Sequence, residues 1–143
     1  MNIHVEHVLN HPPARVWAAL TDPAAMARWL MPNDFRPEVG HRFTFQTDPA
    51  PGFDGTVHCE VLELVPAERL RLSWRAGRMD TVVTFALAAA EGGRTRLTLD
   101  HDGFGMRDLI ARVVMGGGWR RILRRKLPAA IADGADAPVP TPA

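Results

Sequence analysis

The sequence contains no tyrosine, and Cys59 is its single cysteine. A lone cysteine excludes an internal disulfide and a cysteine zinc site. The absence of tyrosine removes the phenol that often serves as the acid in cyclases. The chain also has no large excess of charge of either sign, because 17 Lys and Arg residues against 16 Asp and Glu residues leave a net charge of +1. That balance gives no overall attraction to nucleic acid or to membranes.

Long apolar runs are missing as well. None approaches the roughly 20 residues of a membrane-spanning helix, and no basic segment followed by an apolar run opens the chain as a signal peptide would. We therefore expect no integral membrane segment and a reducing, cytoplasmic location. The 143 residues, of which 46% are apolar and 23% charged, are typical of one soluble domain. We expect that domain to span residues 1–133 and to be followed by a disordered tail, "GADAPVPTPA", at 134–143.

Two short helices are predicted after the first strand. Val16, Trp17 and Leu20 follow Pro13 at helical spacing. Asp22, a good N-cap, stands before a proline and starts the second helix.

Alternating apolar and polar residues predict a series of strands. The clearest case is the segment in which Leu70, Leu72 and Trp74 alternate with arginine and serine. The segment "EGGR" is a hairpin signal between the last two strands. The predicted strands are Ile3–Leu9, a short strand through Phe43 and Phe45, Thr56–Val65, Arg69–Arg75, Asp80–Ala88 and Arg94–His101.

A long helix is predicted at the C-terminal end, with an interruption. Its two apolar stripes differ in direction by roughly a third of a turn. Three glycines stand between the stripes and cost roughly 3 kcal/mol of helix propensity, so we expect a bend, break or loop within Met115–Gly118. The first stripe comprises Leu109, Ile110, Val113 and Val114, and the second comprises Trp119, Ile122, Leu123 and Leu127. Antiparallel strands with helices on one face make an α+β architecture.

This order of elements and several phrases resemble the START/Bet v-type helix-grip superfamily, also called SRPBCC. The most similar branch is that of the heat-shock-protein-ninety ATPase activator homologues. The matching phrases are "PPARVWAALTDPAAMARWL" (Pro12–Leu30), "GTVHCEVLELVPAERLRLSW" (Gly55–Trp74), "GGRTRLTLDHDGF" (Gly92–Phe104) and "GGGWRRIL" (Gly116–Leu123).

The resemblance implies a helix-grip fold, in which a curved antiparallel sheet wraps around the long C-terminal helix and often encloses an apolar cavity. The superfamily includes lipid carriers, cyclases and proteins of unassigned role, so the fold does not give the activity. The cochaperone that names the branch carries a further N-terminal domain that these residues do not contain, which disfavours chaperone activation.

His101, in "LTLDHDGFG", is the candidate catalytic residue. It has the same parity as Leu97 and Leu99, so it should point inward while Asp100 and Asp102 point outward. As a general base it has a suitable pKa range. The alternative is a core histidine with a structural hydrogen bond, which we favour; a histidine before "xGF" recurs in family members without known catalysis.

Apolar side chains of the strands and helices have two interpretations. They line a pocket for an apolar or amphipathic small molecule, or they fill a dry core, and we favour the pocket. The predicted ligand-binding residues are Trp29, Phe43, Phe45, Trp74, Val83, Phe85, Leu97, Leu99, His101, Phe104, Trp119 and Leu123.

Other features predict no further site. The six histidines show no metal-ligand spacing, and we predict neither metal nor cofactor. Arg120, Arg121, Arg124 and Arg125 predict a solvated helix face, with docking to an acidic partner or an anionic lipid surface as the alternative. No RNA-binding aromatic motif accompanies them, so nucleic acid is not expected. A homodimer is compatible with the sequence, which does not fix the oligomeric state.

Three functions are therefore compatible with the sequence. The first is a small-molecule binding protein without catalysis, the second a cyclase- or hydrolase-type enzyme that uses His101, and the third a protein-interaction module related to the chaperone activators.

Overall fold

A computed structural model describes residues 2–133 and has an α+β architecture. One antiparallel sheet has the strand order β1-β6-β5-β4-β3-β2. The predicted strands are all present, and the last three extend one to two residues beyond their predicted ends. The elements are β1 (Ile3–Leu9), α1 (Pro13–Thr21), α2 (Pro23–Trp29), β2 (Arg42–Gln46), β3 (Thr56–Val65), β4 (Arg69–Ala76), β5 (Met79–Ala90), β6 (Arg94–Asp102), α3 (Leu109–Arg121), a π-helical segment (Ile122–Lys126) and α4 (Leu127–Asp133).

The two short helices begin where the sequence predicts them. Asp22 caps α2 by accepting a hydrogen bond from the backbone N–H of Ala25 at 3.2 Å. Trp29 is fully buried, and its indole Nε1–H donates to the backbone oxygen of Ala19 at 2.8 Å. That bond ties the end of α2 to α1, so both helices pack against the sheet as one unit.

Alternation along the strands separates the core from the outer face. On β4, Leu70, Leu72 and Trp74 are buried, and the residues between them are less buried or exposed. Antiparallel pairing aligns Val83 of β5 with His101 of β6. The inward position predicted for His101 is confirmed, because its side chain is 0% exposed.

The predicted interruption at Met115–Gly118 is wrong. Helix α3 continues through all three glycines, and the irregularity begins only at Ile122, where the π-helical segment starts. A π-helical turn takes one more residue than an α-helical turn, so it changes the direction of the stripe without breaking the chain of hydrogen bonds. The helix stays continuous because the backbone hydrogen bonds of this turn and of the turns on either side stabilise it by more than the low helix propensity of the glycines costs.

The two apolar stripes also differ in their surroundings, which the sequence pattern alone did not reveal. The second stripe packs in the core, with Trp119, Leu123 and Leu127 buried. The first stripe is exposed to solvent, and Gly116 is the buried position of that half of the helix. A Cβ atom at Gly116 would lie 3.9 Å from Cγ1 of Ile3, which is an ordinary van der Waals distance, so α3 passes close to β1 at this position.

No helix within residues 2–133 is both long and apolar enough to cross a membrane. The tail predicted at 134–143 lies outside the described residues.

Candidate functional site

His101 is held in the core by hydrogen bonds to both of its ring nitrogens. Trp119 donates from its indole Nε1–H to Nδ1 of His101 at 3.0 Å. Nε2 of His101 lies 2.7 Å from Oγ1 of Thr81, and the Thr81 hydroxyl donates to the backbone oxygen of Trp74 at 2.8 Å. Because the hydroxyl proton is used on Trp74, Nε2 must carry the proton that is donated to Thr81. The ring is therefore the neutral Nε2–H tautomer.

This network determines what the histidine can do chemically. Burial lowers the pKa of His101 from 6.5 to about 4, because the charged ring would lose its water without gaining a partner. A general base needs a free lone pair facing the substrate. The lone pair of Nδ1 is occupied by Trp119, so the ring as arranged has none to offer.

Aromatic side chains surround the histidine in one connected cluster. Trp74 lies against Trp119 and Phe45, with ring centroids 5.5 Å apart in each case. Phe104 packs on His101 with a centroid distance of 4.6 Å, and Phe85 contacts Trp119 edge-on at 6.0 Å. Such tilted and edge-to-face pairs are the favoured geometries for aromatic rings. The cluster links the centre of the sheet to the C-terminal helix.

Every predicted ligand-binding residue lies in this buried region. The twelve side chains are between 0% and 6% exposed, and each of the eight rings among them contacts another ring of the set. The cluster extends through Phe45 to Phe43, and Trp29 joins it through Phe85 at 6.0 Å. The structure therefore brings the predicted residues together as a packed set between sheet and helices.

Trp74 carries a buried polar group without a partner. Its side chain is 3% exposed, and no acceptor among residues 2–133 is within hydrogen-bonding distance of its indole Nε1–H. The indole groups of Trp29 and Trp119 both have acceptors. An unpaired buried donor costs about 1–3 kcal/mol, and native structures contain few of them. Among the described residues, Trp74 is thus the one buried tryptophan whose indole N–H lacks an acceptor.

One end of the sheet brings together the turns nearest to Trp74. Gly77, in the turn after β4, has a positive φ of 56°, and a Cβ atom there would lie 2.7 Å from the backbone oxygen of Gly52. The β2–β3 loop therefore closes directly onto the β4–β5 turn. Phe53, Ala76 and Met79, in these segments or beside them in the chain, are partly buried and pack on the core.

Two open grooves lie on the surface. A groove of about 490 Å³ is lined by Arg78 and residues 105–108. The other, of about 470 Å³, lies on β2, β3 and β4 and is bordered by Arg42, Glu60 and Arg75 among others. Of the twelve predicted pocket residues, Phe43 alone lines either of these grooves.

The comparison with known proteins agrees with this architecture. A family model described as activator of Hsp90 ATPase homolog 1-like protein matches residues 10–132. The chain belongs to this family. The match runs from the turn before α1 into α4, so it includes the network around His101 and the whole aromatic cluster. No curated protein sequence matches the chain.

Solved structures of similar chains extend the finding. Protein MLL2253 from Mesorhizobium loti is 33% identical, with a TM-score of 0.85 over 93% of this chain and 98% of that one. Protein BH1534 from Bacillus halodurans is 25% identical, with a TM-score of 0.78 over 92% and 96% of the two chains. The Aha1 dimer from Colwellia psychrerythraea is 19% identical, with a TM-score of 0.73 over 96% and 97%, and it shows the fold alone. Membership of the activator-homologue family supports a ligand-binding or interaction module in general.

Two features of the site were missed by the sequence analysis. Thr81 has the same parity along β5 as the inward-pointing Val83 and Phe85. A polar side chain in such a position is expected to make a buried hydrogen bond, and this was the signal in the sequence. The unpaired donor on Trp74 has no counterpart in the sequence pattern, because it depends on which way the indole ring is turned. Cys59 is buried, and burial raises the pKa of its thiol to about 12, which makes it an inert core residue.

Proposed function

We propose that this protein binds an amphipathic small molecule between the sheet and the C-terminal helix. The ligand has an apolar body and one hydrogen-bond acceptor, and the acceptor bonds to the indole Nε1–H of Trp74. The single observation that carries the proposal is that this buried donor has no acceptor among residues 2–133.

The chemistry around the donor restricts the ligand. Apolar and aromatic side chains surround Trp74, and His101, whose ring centroid lies 5.7 Å from that of Trp74, is neutral at pH 7 because its pKa is lowered to about 4. A site without a fixed cation gives little compensation for the desolvation of several charges. Nucleotides and sugar phosphates are therefore poor ligands, whereas a molecule with one carbonyl, ether or sulfonate group matches the single donor.

Entry requires movement of a part of the fold that is weakly held. The first half of α3 has its large apolar side chains in solvent and three glycines before Trp119. Segments with few buried apolar contacts open at low free-energy cost. We infer that this half of the helix moves away from the sheet to admit the ligand, while the buried turns from Trp119 onward stay in place.

The fluorescent probe 1-anilinonaphthalene-8-sulfonate tests the proposal, because it has an apolar body and one sulfonate acceptor. We expect one probe to bind per chain. Trp74→Phe should weaken binding about tenfold or more, because a hydrogen bond to a charged group contributes roughly 1.5–3 kcal/mol. Trp17→Phe is the matched control, since Trp17 lies on α1 and is half-buried outside the cluster, and it should bind the probe as the wild type does.

A second control separates the interior from the surface. Ile110→Ser combined with Val113→Ser removes exposed apolar surface from α3 and should leave probe binding intact. The proposal fails if Trp74→Phe binds the probe with unchanged affinity. It fails equally if the surface variant abolishes binding, since the probe would then sit on the outside of the helix.

A further inference from the structure

We propose that the exposed side of α3 docks onto an anionic lipid surface. This outer face consists of an apolar part and a basic part that follow one another along α3 and into the π-helical segment. The apolar part comprises Met106, Leu109, Ile110, Val113 and Val114, and the basic part comprises Arg120, Arg121 and Arg124. The inference does not rest on the proposed small-molecule function.

The apolar part is a continuous exposed stripe. Its five side chains are between 49% and 89% exposed, and they make up five of the seven large apolar residues exposed within residues 2–133. At about 100° per residue, Leu109, Ile110, Val113 and Val114 cover roughly 140° of the helix. Met106, in the turn before α3, adds a further exposed apolar side chain at the start of the stripe. A contiguous exposed apolar surface marks an interaction site far more often than scattered single residues do.

The basic part continues the same side of the helix. Arg121 follows Ile110 after about three helical turns, so the two side chains point in the same direction. Arg107 and Arg112 lie beyond the two edges of the apolar stripe. An exposed apolar stripe with arginines at its edges places side chains that bind acyl chains next to side chains that bind anionic headgroups.

Charge complementarity identifies the occupant as anionic. Residues 106–126 contain seven Arg and Lys residues and one acid, Asp108. The carboxylate of Asp108 is used locally, because it accepts the backbone N–H of Gly105 at 3.0 Å. None of these seven cations is within 4 Å of a carboxylate in the described part of the chain. The Nε of Arg112 is buried there without an acceptor, so one cation at the edge of the stripe lacks an anion.

The same residues favour a lipid surface over a protein partner. The apolar part is aliphatic and convex and contains no exposed aromatic residue. Protein interfaces take most of their binding energy from Trp, Tyr and Arg in fitted pockets, with Leu and Val under-represented. A second copy of the chain would present the same face, with seven cations and one acid, and so would leave most of these arginines without an anion. A lipid surface needs no fitted pocket and supplies anionic headgroups to every arginine.

Vesicle flotation tests the proposal. The probes are vesicles of phosphatidylcholine with about a quarter phosphatidylserine, compared with phosphatidylcholine alone. We expect binding to the anionic vesicles in about 0.1 M NaCl. Binding should be lost in about 1 M NaCl, because the salt then screens the attraction between arginines and headgroups at all but the shortest distances. Ile110→Ser with Val113→Ser should weaken binding about tenfold. Arg120→Gln and Arg121→Gln should each weaken it about fivefold.

Matched controls remove the same side-chain types from other exposed places. Val39→Ser with Leu62→Ser removes apolar surface from a loop and from the outer side of β3, and Arg71→Gln removes a cation from the outer side of β4. These variants should bind anionic vesicles as the wild type does. The proposal is overturned if anionic vesicles bind no better than neutral ones, or if stripe and control variants lose binding equally. It is also overturned if sedimentation shows a dimer that Ile110→Ser with Val113→Ser abolishes, because the stripe is then a contact between two copies.

Discussion

Replacing His101 with glutamine should lower the free energy of unfolding and should also change how that free energy depends on pH. In the native protein Nε2 of His101 donates to Thr81 and Nδ1 accepts from Trp119. A glutamine side chain cannot occupy both positions, so at least one buried polar group loses its partner. We expect the variant to unfold at pH 7 with a free energy about 2–4 kcal/mol lower than that of the wild type.

The pH dependence follows from the direction of the pKa shift. The pKa of His101 falls from 6.5 to about 4 on folding, so the unfolded chain binds a proton at a higher pH than the native protein does. The stabilising contribution is complete above pH 6.5 and is lost as the pH falls toward 4. A shift of that size corresponds to about 3 kcal/mol. The difference between wild type and His101→Gln should therefore shrink from its value at pH 7 to near zero at pH 4.

Urea denaturation followed by circular dichroism between pH 7 and pH 4 measures this difference. Carboxylates that titrate in the same range contribute equally to both proteins, so the comparison removes them. His58→Gln is the control, because His58 is exposed on the outer face of β3 and its replacement should leave the curve unchanged. A stability difference that stays constant from pH 7 to pH 4 would refute the buried, neutral histidine.

Three further predictions concern the sheet, the helix and the interior. Nδ1 of His4 donates a hydrogen bond to the Asp100 carboxylate at 2.6 Å, and this bond raises the pKa of His4. The pair should therefore stabilise the folded protein fully below pH 6.5, and its contribution should fade as the pH rises through the raised pKa. Asp100→Asn should lower the pKa of His4 measured by NMR, and an unchanged value would contradict the pair. Gly117→Ala and Gly118→Ala should each raise the unfolding free energy by about 0.5–1 kcal/mol, because an added Cβ meets nothing within 4 Å; a loss of stability would contradict the continuous helix. Val83→Trp should keep the circular dichroism spectrum and abolish probe binding, and retained binding would exclude an interior site.

The strands of the sheet were predictable because one face of each is buried and the other is not. Such a strand shows alternating apolar and polar residues, and this pattern can be recognised within the strand itself. Leu70, Leu72 and Trp74 indicate their face without help from the rest of the chain. The same parity predicts that His101 points inward. Pattern alone does not say which groups meet the ring there, since Thr81 and Trp119 reach it from two other elements.

The C-terminal helix was less predictable because its two stripes have different surroundings. Apolar residues spaced every 3.6 positions indicate that a helix has an apolar stripe. The spacing does not indicate whether that stripe is buried in the core or exposed to solvent. Ile110 and Val113 lie in solvent, while Trp119 and Leu123 are buried. The propensity cost of three glycines is also a local quantity, and the hydrogen bonds of the neighbouring turns outweigh it. The orientation of the Trp74 indole, on which the proposed function depends, is a result of packing that no local pattern encodes.

The most direct test of that function is the indole N–H spectrum of the protein labelled with ¹⁵N. The four tryptophans give four side-chain signals, which single Trp→Phe variants assign. On addition of 1-anilinonaphthalene-8-sulfonate, the Nε1–H signal of Trp74 should move downfield as it gains an acceptor, while that of Trp29, already bonded to Ala19, should move little. A Trp74 signal that stays in place at saturating probe would contradict the proposed binding site.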